Sequence, residues 1–266
     1  MSIRFGVSGL NLLEPAGGFA SALTEMCGVA LRPWVATDYD HLLEAVSSGS
    51  VGVAWMPPLL HARASSVGVV LAALCERKHS LTYRSALVVR DASNFYGVSG
   101  PALAGARVAW VDPRSTGGYL FPRMHLAAAG VDPKVHLAGE EFYGSHPRAI
   151  MAVVRSEADL CACHVSEGAR DAQLALAEVR RIVGVPDAPL RVLAITESIP
   201  ADGIVLGPAV AEKDALLCGL LRLHERIEGA QALRALTNAD RLVAPTAEVQ
   251  HIIARLRVHP AAARLS

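Results

Sequence analysis

The chain has 266 residues, with 25 basic and 25 acidic side chains and a formal net charge of zero. That length suits one large α/β domain or two small ones, each with its own core. Balanced charge points away from nucleic acid and charged membrane surfaces as partners, and no apolar run approaches the roughly 20 residues that span a bilayer, so no membrane insertion is expected.

Ser2-Ile-Arg-Phe-Gly-Val7 reads as a first strand. No basic n-region, apolar h-region or small-residue cleavage site precedes it. With Met1 as the natural start this predicts a cytoplasmic protein; if Met1 was added to a processed form, a periplasmic one. The five cysteines (27, 75, 161, 163 and 218) are odd in number and irregularly spaced. That argues against a disulfide framework and suits a reducing compartment.

A loop, Ser8 to Pro15, leads to a helix from near Gly18 to Cys27, then to strand-like Leu31 to Val35. Thr37 or Asp38 caps a helix over Tyr39–Ser47, whose Leu42, Leu43 and Val46 share a face. Val51-Gly-Val-Ala-Trp-Met56 is a continuous apolar run, as expected of a strand buried on both faces. Pro57-Pro58 ends it and opens a short helix, Leu59 to Ala64. Ligands of open α/β sheets bind beyond the carboxyl ends of strands, so Trp55, Met56 and Pro57 stand where a cleft wall is expected, with Trp55 better suited to core packing. Val67–Leu74 and Tyr83–Arg90 are further strands, and Asp91–Pro101 is a polar loop.

Next comes Arg107-Val-Ala-Trp-Val-Asp-Pro-Arg-Ser-Thr-Gly-Gly-Tyr-Leu-Phe-Pro122. Its first five residues read as a buried strand, Asp112-Pro113 as a turn, and the remainder as a polar loop opening a helix. Ser115 and Thr116 are suited to cap that helix. Gly117 and Gly118 remove side chains and let a ligand approach the backbone. Free N–H groups, two hydroxyls and the positive end of a helix dipole suit an oxyanion. The same pattern also fits a strand–turn–helix joint that binds nothing. Pro122 lies in the first helical turn or kinks the helix just beyond it, and Gly130 is a stop.

After a turn at Val131-Asp-Pro133, Ser145 caps a second helix with Pro147 in its first turn, running to about Glu157. His146 therefore stands at a second helix start, where the dipole lowers its pKa and a bound anion raises it. Ala158-Asp-Leu-Cys-Ala-Cys-His-Val165 is a strand. Its Cys-x-Cys puts both thiols on one face. With no second Cys/His cluster to complete the four ligands of a structural zinc site, it reads as a buried strand end. Helix over Glu167–Arg181, strand over Leu190–Glu197, a loop with a short strand over Ser198–Gly207, and helices over Glu212–Ile227, Gln231–Leu236 and Ala247–Leu256 complete the chain. The tail from His259 is expected to fray. Strands alternating with helices give an α/β class with mainly parallel sheets.

The strand–Asp-Pro-x-Ser-Thr-x-Gly-Tyr loop (Val111 to Tyr119) and Gly144-Ser145-His146 before a helix resemble the phosphate/phosphite/phosphonate-binding proteins of ABC transporters. Tyr39 to Pro58, Glu157-Ala-Asp159 and Ile199-Pro-Ala-Asp-Gly-Ile-Val205 resemble the same family in the same order. The resemblance implies a two-lobed type II periplasmic-binding-protein fold, whose lobes close like a hinge on a ligand held between them. Lobe one would be 1–85 with 193–266 and lobe two 86–192, with Tyr83–Leu87 and Leu193–Thr196 as hinge crossovers. It also implies that Ser115, Thr116, Ser145 and His146 hold an oxyanion. Gly117, Gly118 and Tyr119 complete the loop, with Met56, Pro57, Tyr83 and His164 around the ligand.

Three features depart from the family pattern. Gly117 stands where the family has a third hydroxyl, Pro57-Pro58 replaces Gly-Pro, and Cys163-His164 stands near where aminophosphonate binders offer acidic residues. The expected function is a solute-binding protein for phosphate, phosphonate or a related small acid, serving as a cytoplasmic sensor or carrier rather than an exported importer component. No catalytic residue, metal or cofactor is expected, and the sequence indicates no protein partner. The alternative is a cytoplasmic enzyme on the same fold acting on a small acid, with His146, His164 or Glu197 as acid or base and Cys163 as a nucleophile if exposed and thiolate.

Overall fold

A computed structural model describes residues 2–113 and 115–257; the tail expected to fray from His259 lies outside them. The chain forms two compact units. Of the described residues, one takes those up to Leu81 and 200–257, the other Thr82–Ile199.

In chain order the first unit begins with β1 (Ile3–Ser8), α1 (Leu13–Cys27), β2 (Leu31–Ala36), α2 (Tyr39–Ser47), β3 (Val53–Met56), α3 (Pro58–Ala64) and β4 (Val70–Glu76). The second unit follows with β5 (Thr82–Arg90), β6 (Ala106–Trp110), α4 (Phe121–Ala128), α5 (Pro133–His136), β7 (Leu137–Phe142), α6 (His146–Val154), β8 (Leu160–Ser166), α7 (Ala172–Val183) and β9 (Leu190–Ile195). A two-residue β10 (Ile199–Pro200) leads back to the first unit, which ends with β11 (Gly203–Leu206), α8 (Lys213–Arg222), α9 (Ile227–Thr237), β12 (Arg241–Val243) and α10 (Ala247–Arg257).

The first unit's sheet runs β12-β4-β11-β3-β1-β2. β1 is parallel to β2 and β3, as alternating strands and helices predict, while β11 and β12 return antiparallel. Alternation on β1 sorts its faces. Phe5 and Val7 meet Ala16, Phe19, Ala20 and Leu23 of α1, which recur at helical spacing. The rings of Phe5 and Phe19 stack at 4.7 Å. On the other face Gly6 admits Leu42 of α2 and Val51, each 2.8 Å from where a Cβ would stand. Asp38 caps α2, its carboxylate accepting from the His41 N–H at 2.9 Å.

The second sheet runs β10-β5-β8-β6-β7, with β9 also on β5. β6 is parallel to β7 and β8; β5 is antiparallel to β8 and β9. One face packs Ala109, Val111, Cys161 and Cys163 against Ile150 and Val153 of α6 and Val179 of α7. The other packs Trp110, Val108 and Leu160 against Leu126 of α4. Both Cys-x-Cys thiols lie in the first of these layers, fully buried. No helix among the described residues is long and apolar enough to cross a membrane.

Several details differ from the sequence-based expectation. α1 starts at Leu13, because Pro15 fits a first helical turn where its missing N–H has no partner to lose. α7 starts at Ala172, capped by Asp171, because Glu167 is engaged elsewhere. α9 starts at Ile227 after a break that ends α8 at Arg222. β7 and β12 are additional strands: β7 is polar, with no fully buried residue, and β12 has only three residues, so neither carries an apolar run.

Candidate functional site

The loop after β6 is built by its own hydrogen bonds. Ser115 is extended and caps the following turn, its Oγ accepting from the Gly118 N–H at 3.0 Å. Its own N–H donates to the Asp112 carbonyl at 2.9 Å. Thr116–Leu120 then winds as a single π-helical turn, the Leu120 N–H donating to the Ser115 carbonyl at 3.0 Å, before α4 begins. Such turns are rare and concentrate at functional sites. Pro122 lies in the first turn of α4.

Two side contacts impose that turn. The Val111 N–H donates to the Gly118 carbonyl at 3.1 Å. The hydroxyl of Ser85, wholly buried on β5, donates to the Gly117 carbonyl at 2.6 Å and lies 3.1 Å from the Cys163 carbonyl. A Cβ on Gly118 would stand 2.4 Å from Val111 Cγ2. A Cβ on Gly117 would stand 2.9 Å from the Tyr83 ring and 3.6 Å from His164 Cβ. The room left by the absent side chain at 117 is therefore taken by Tyr83. Thr116 is 5% exposed, and its hydroxyl has no hydrogen-bond partner among the described residues.

The second helix start is pinned beside the first. The Tyr143 N–H donates to the Trp110 carbonyl at 2.9 Å, and the Gly144 N–H to the Val111 carbonyl at 2.7 Å. Gly144 has φ 79°, the left-handed region that glycine tolerates. Ser145 caps α6, its Oγ accepting from the Arg148 N–H at 3.4 Å. His146 is the first residue of α6, and its ring lies edge-on to His164 at 4.5 Å. His164 sits opposite Ser85 in the β5–β8 ladder. The Gly117 turn and His146 therefore both abut His164.

His146 Nδ1 is buried and has no hydrogen-bond partner among the described residues. Burial, then repulsion from His164, pulls the His146 pKa down to about 3. At neutral pH the ring is uncharged, with one nitrogen a donor and the other an acceptor. On β5 the cation Arg84 is neutralised: its Nη2 and Nε donate to Glu167 at 2.8 and 3.1 Å, and the Thr82 and Ser198 hydroxyls donate to the same carboxylate. The arrangement thus offers hydroxyls, amides and neutral imidazole to a guest.

The remaining expected residues are placed as follows. Tyr119 is half-buried in an aromatic row, 5.4 Å from the Trp110 ring and 5.1 Å from Phe142. Met56 and Pro57 belong to the first unit, where Met56 is wholly buried in the core and Pro57 precedes α3. Trp55 is half-buried there and donates its indole N–H to Asp202, which also receives Arg77 at 2.7 Å. Cys163 is not an exposed thiolate: it is wholly buried, and burial pushes its pKa up to about 12. That removes the nucleophile from the enzymatic alternative, since the thiol form is weakly nucleophilic. Among the described residues no three His, Cys, Asp or Glu side chains gather as metal ligands would. Ser85 is the residue sequence reasoning missed. Its signal is a small hydroxyl directly before the apolar run Ala86–Val89, on the strand that begins at Thr82.

Ser85→Ala leaves the Gly117 carbonyl without this donor. Its loss is expected to lower stability by about 1–3 kcal/mol, the cost of a buried polar group left unpaired. Urea unfolding of the wild type and variant checks this; equal midpoints and slopes would show that the turn does not depend on Ser85.

The model of the family described as "ABC transporter, phosphonate, periplasmic substrate-binding protein" matches residues 9–249. Solved structures share the fold. XAC2383 from Xanthomonas citri bound to ATP is 17% identical with a TM-score of 0.79, covering 99% of this chain and 98% of its own. PhnD1 from Prochlorococcus marinus in complex with methylphosphonate is 19% identical with a TM-score of 0.72, covering 96% of each chain. A binding protein component of an ABC phosphonate transporter from Pseudomonas aeruginosa is 21% identical with a TM-score of 0.70, covering 96% of this chain and 85% of its own. The fold is that of type II periplasmic binding proteins, and the chain belongs to the phosphonate substrate-binding protein family of ABC transporters.

Proposed function

We propose that the second unit holds the oxyanion of a small phosphonate, phosphate or related acid, with the hydroxyls of Ser115, Thr116 and Ser145, the amides of the π-turn and the ring of His146 as donors. The observation that carries this reading is a pair of buried polar atoms, Thr116 Oγ1 and His146 Nδ1, neither with a partner. An unpartnered buried polar group costs about 1–3 kcal/mol, so a guest that pairs with both recovers that energy on binding. The start of α6 adds the positive end of a helix dipole. Uncharged donors suit such a guest, because they need no counter-charge before it arrives. Methylphosphonate in the relative from Prochlorococcus marinus supports a phosphorus oxyanion as the ligand class.

On this reading the two units are the two lobes, and the protein is a carrier or sensor that returns its ligand unchanged. Replacing Ser115 by Ala and Thr116 by Val removes two donors and is expected to weaken methylphosphonate binding by one to a few kcal/mol, from about 1.5–3 per charge-assisted hydrogen bond. Calorimetric titration measures it; an unaltered affinity would remove both hydroxyls from the site.

We also propose a cytoplasmic role. All five cysteines are free thiols, Cys218 exposed among them, a condition kept by a reducing compartment. Fractionation of the native host is expected to place the protein with cytoplasmic markers. Recovery with the periplasmic fraction would instead make it the importer component that its family's description names, and would leave the binding site as proposed.

A further inference from the structure

We propose a second anion site in the first unit, between Arg4 and Arg32, that takes a small soluble phosphate-bearing molecule. It does not rest on the function proposed above. Arg4 of β1 and Arg32 of β2 are in register on neighbouring parallel strands, so both side chains leave the same face of the sheet. Together with Gly49, Ser50, Gly52 and Glu212 they line a groove of about 610 Å³, within the size range of small-molecule sites. The groove lies where β1 and β2 begin. Pro57 and α3 leave from the opposite, carboxyl end of the neighbouring β3.

Most arginines of this unit whose side chains are described are paired with carboxylates; Arg4, Arg32 and Arg226 are not, and of these only Arg4 and Arg32 stand side by side on neighbouring strands. In the same unit Arg63, Arg77 and Arg241 each have a carboxylate, at 3.2, 2.7 and 2.7 Å. Among the described residues Arg4 and Arg32 have no such partner, although Glu212 lines the same groove. Like charges facing each other across a ladder repel. An anion with several charged oxygens relieves both at once, and the guanidinium fork matches phosphate oxygens in pairs. On the β3 side of Arg4 the groove is walled by packing: a Cβ on Gly52 would stand 2.6 Å from Ile3 Cγ2 and 3.0 Å from Val210 Cγ2.

Inorganic pyrophosphate is the probe, titrated calorimetrically into the full chain. Arg4→Gln with Arg32→Gln is expected to weaken one binding event at least tenfold while leaving the melting temperature without ligand unchanged. Arg4→Lys with Arg32→Lys, which keeps the charge but loses the fork, is expected to weaken it less. Thr116→Val is expected to leave this event unaltered, which separates it from the site in the second unit. Pyrophosphate binding by the Gln double variant, or by the Lys one if the Gln protein does not fold, with wild-type affinity would overturn the proposal. So would sedimentation of the wild type with phosphatidic acid vesicles in the absence of any uptake of free pyrophosphate, since the source would then be a lipid headgroup.

Discussion

Both segments of the candidate site hang from one residue. Val111 follows the last residue of β6; its N–H donates to the Gly118 carbonyl and its carbonyl accepts from the Gly144 N–H, at 3.1 and 2.7 Å. The first bond folds the π-turn back onto the strand end. The second sets the residue before Ser145 against the same point. Buried backbone groups are almost always paired, so once β6 is in the sheet this residue fixes which two chain segments become neighbours. Thr116 and His146, 30 positions apart in the sequence, gain their relation to each other from that single pair of bonds and from the strands β5 and β8 beneath them.

The chemistry follows from what that scaffold leaves unpaired. Ser85 takes the Gly117 carbonyl, the Ser115 hydroxyl takes the Gly118 N–H, and Glu167 takes Arg84. What remains is a buried hydroxyl and a buried imidazole nitrogen. A protein interior tolerates few such groups; of the five among the described residues two lie on these adjoining segments, and that pairing is the physical basis for expecting a guest. Tyr83 bears on the same point. Its ring fills the space beside Gly117, so an aromatic edge from β5 stands where a side chain at position 117 would.

Much of this was legible in the sequence, and the exceptions have physical causes. The apolar runs of β3, β6 and β8 and the caps at Asp38, Ser115 and Ser145 follow from local rules, because a buried strand and a capped helix start each need particular side chains on the spot. The order of loop motifs carried the family. The π-turn was not legible, since it is imposed by Val111 and Ser85 from outside the segment that adopts it. β7 escaped because an edge strand with solvent on its flanks needs no apolar alternation. Met56 illustrates the converse: its place at a carboxyl end suggested a cleft wall, while its side chain lies wholly within the core of the first unit. The pairing of Arg84 with Glu167 leaves no local trace, because it joins residues far apart in the chain.

The state of His146 tests the central claim most directly. Histidine ring ¹⁵N NMR, with pH varied and methylphosphonate added, reports both its charge and its partner. The account predicts a ring neutral across the physiological range when free, with a midpoint pulled down to about 3. It predicts a saturable shift of its nitrogen signals on binding and a raised midpoint, because a bound anion favours the charged imidazole. A free ring titrating near the ordinary value of about 6.5, and nitrogen signals unmoved at saturating methylphosphonate, would contradict it.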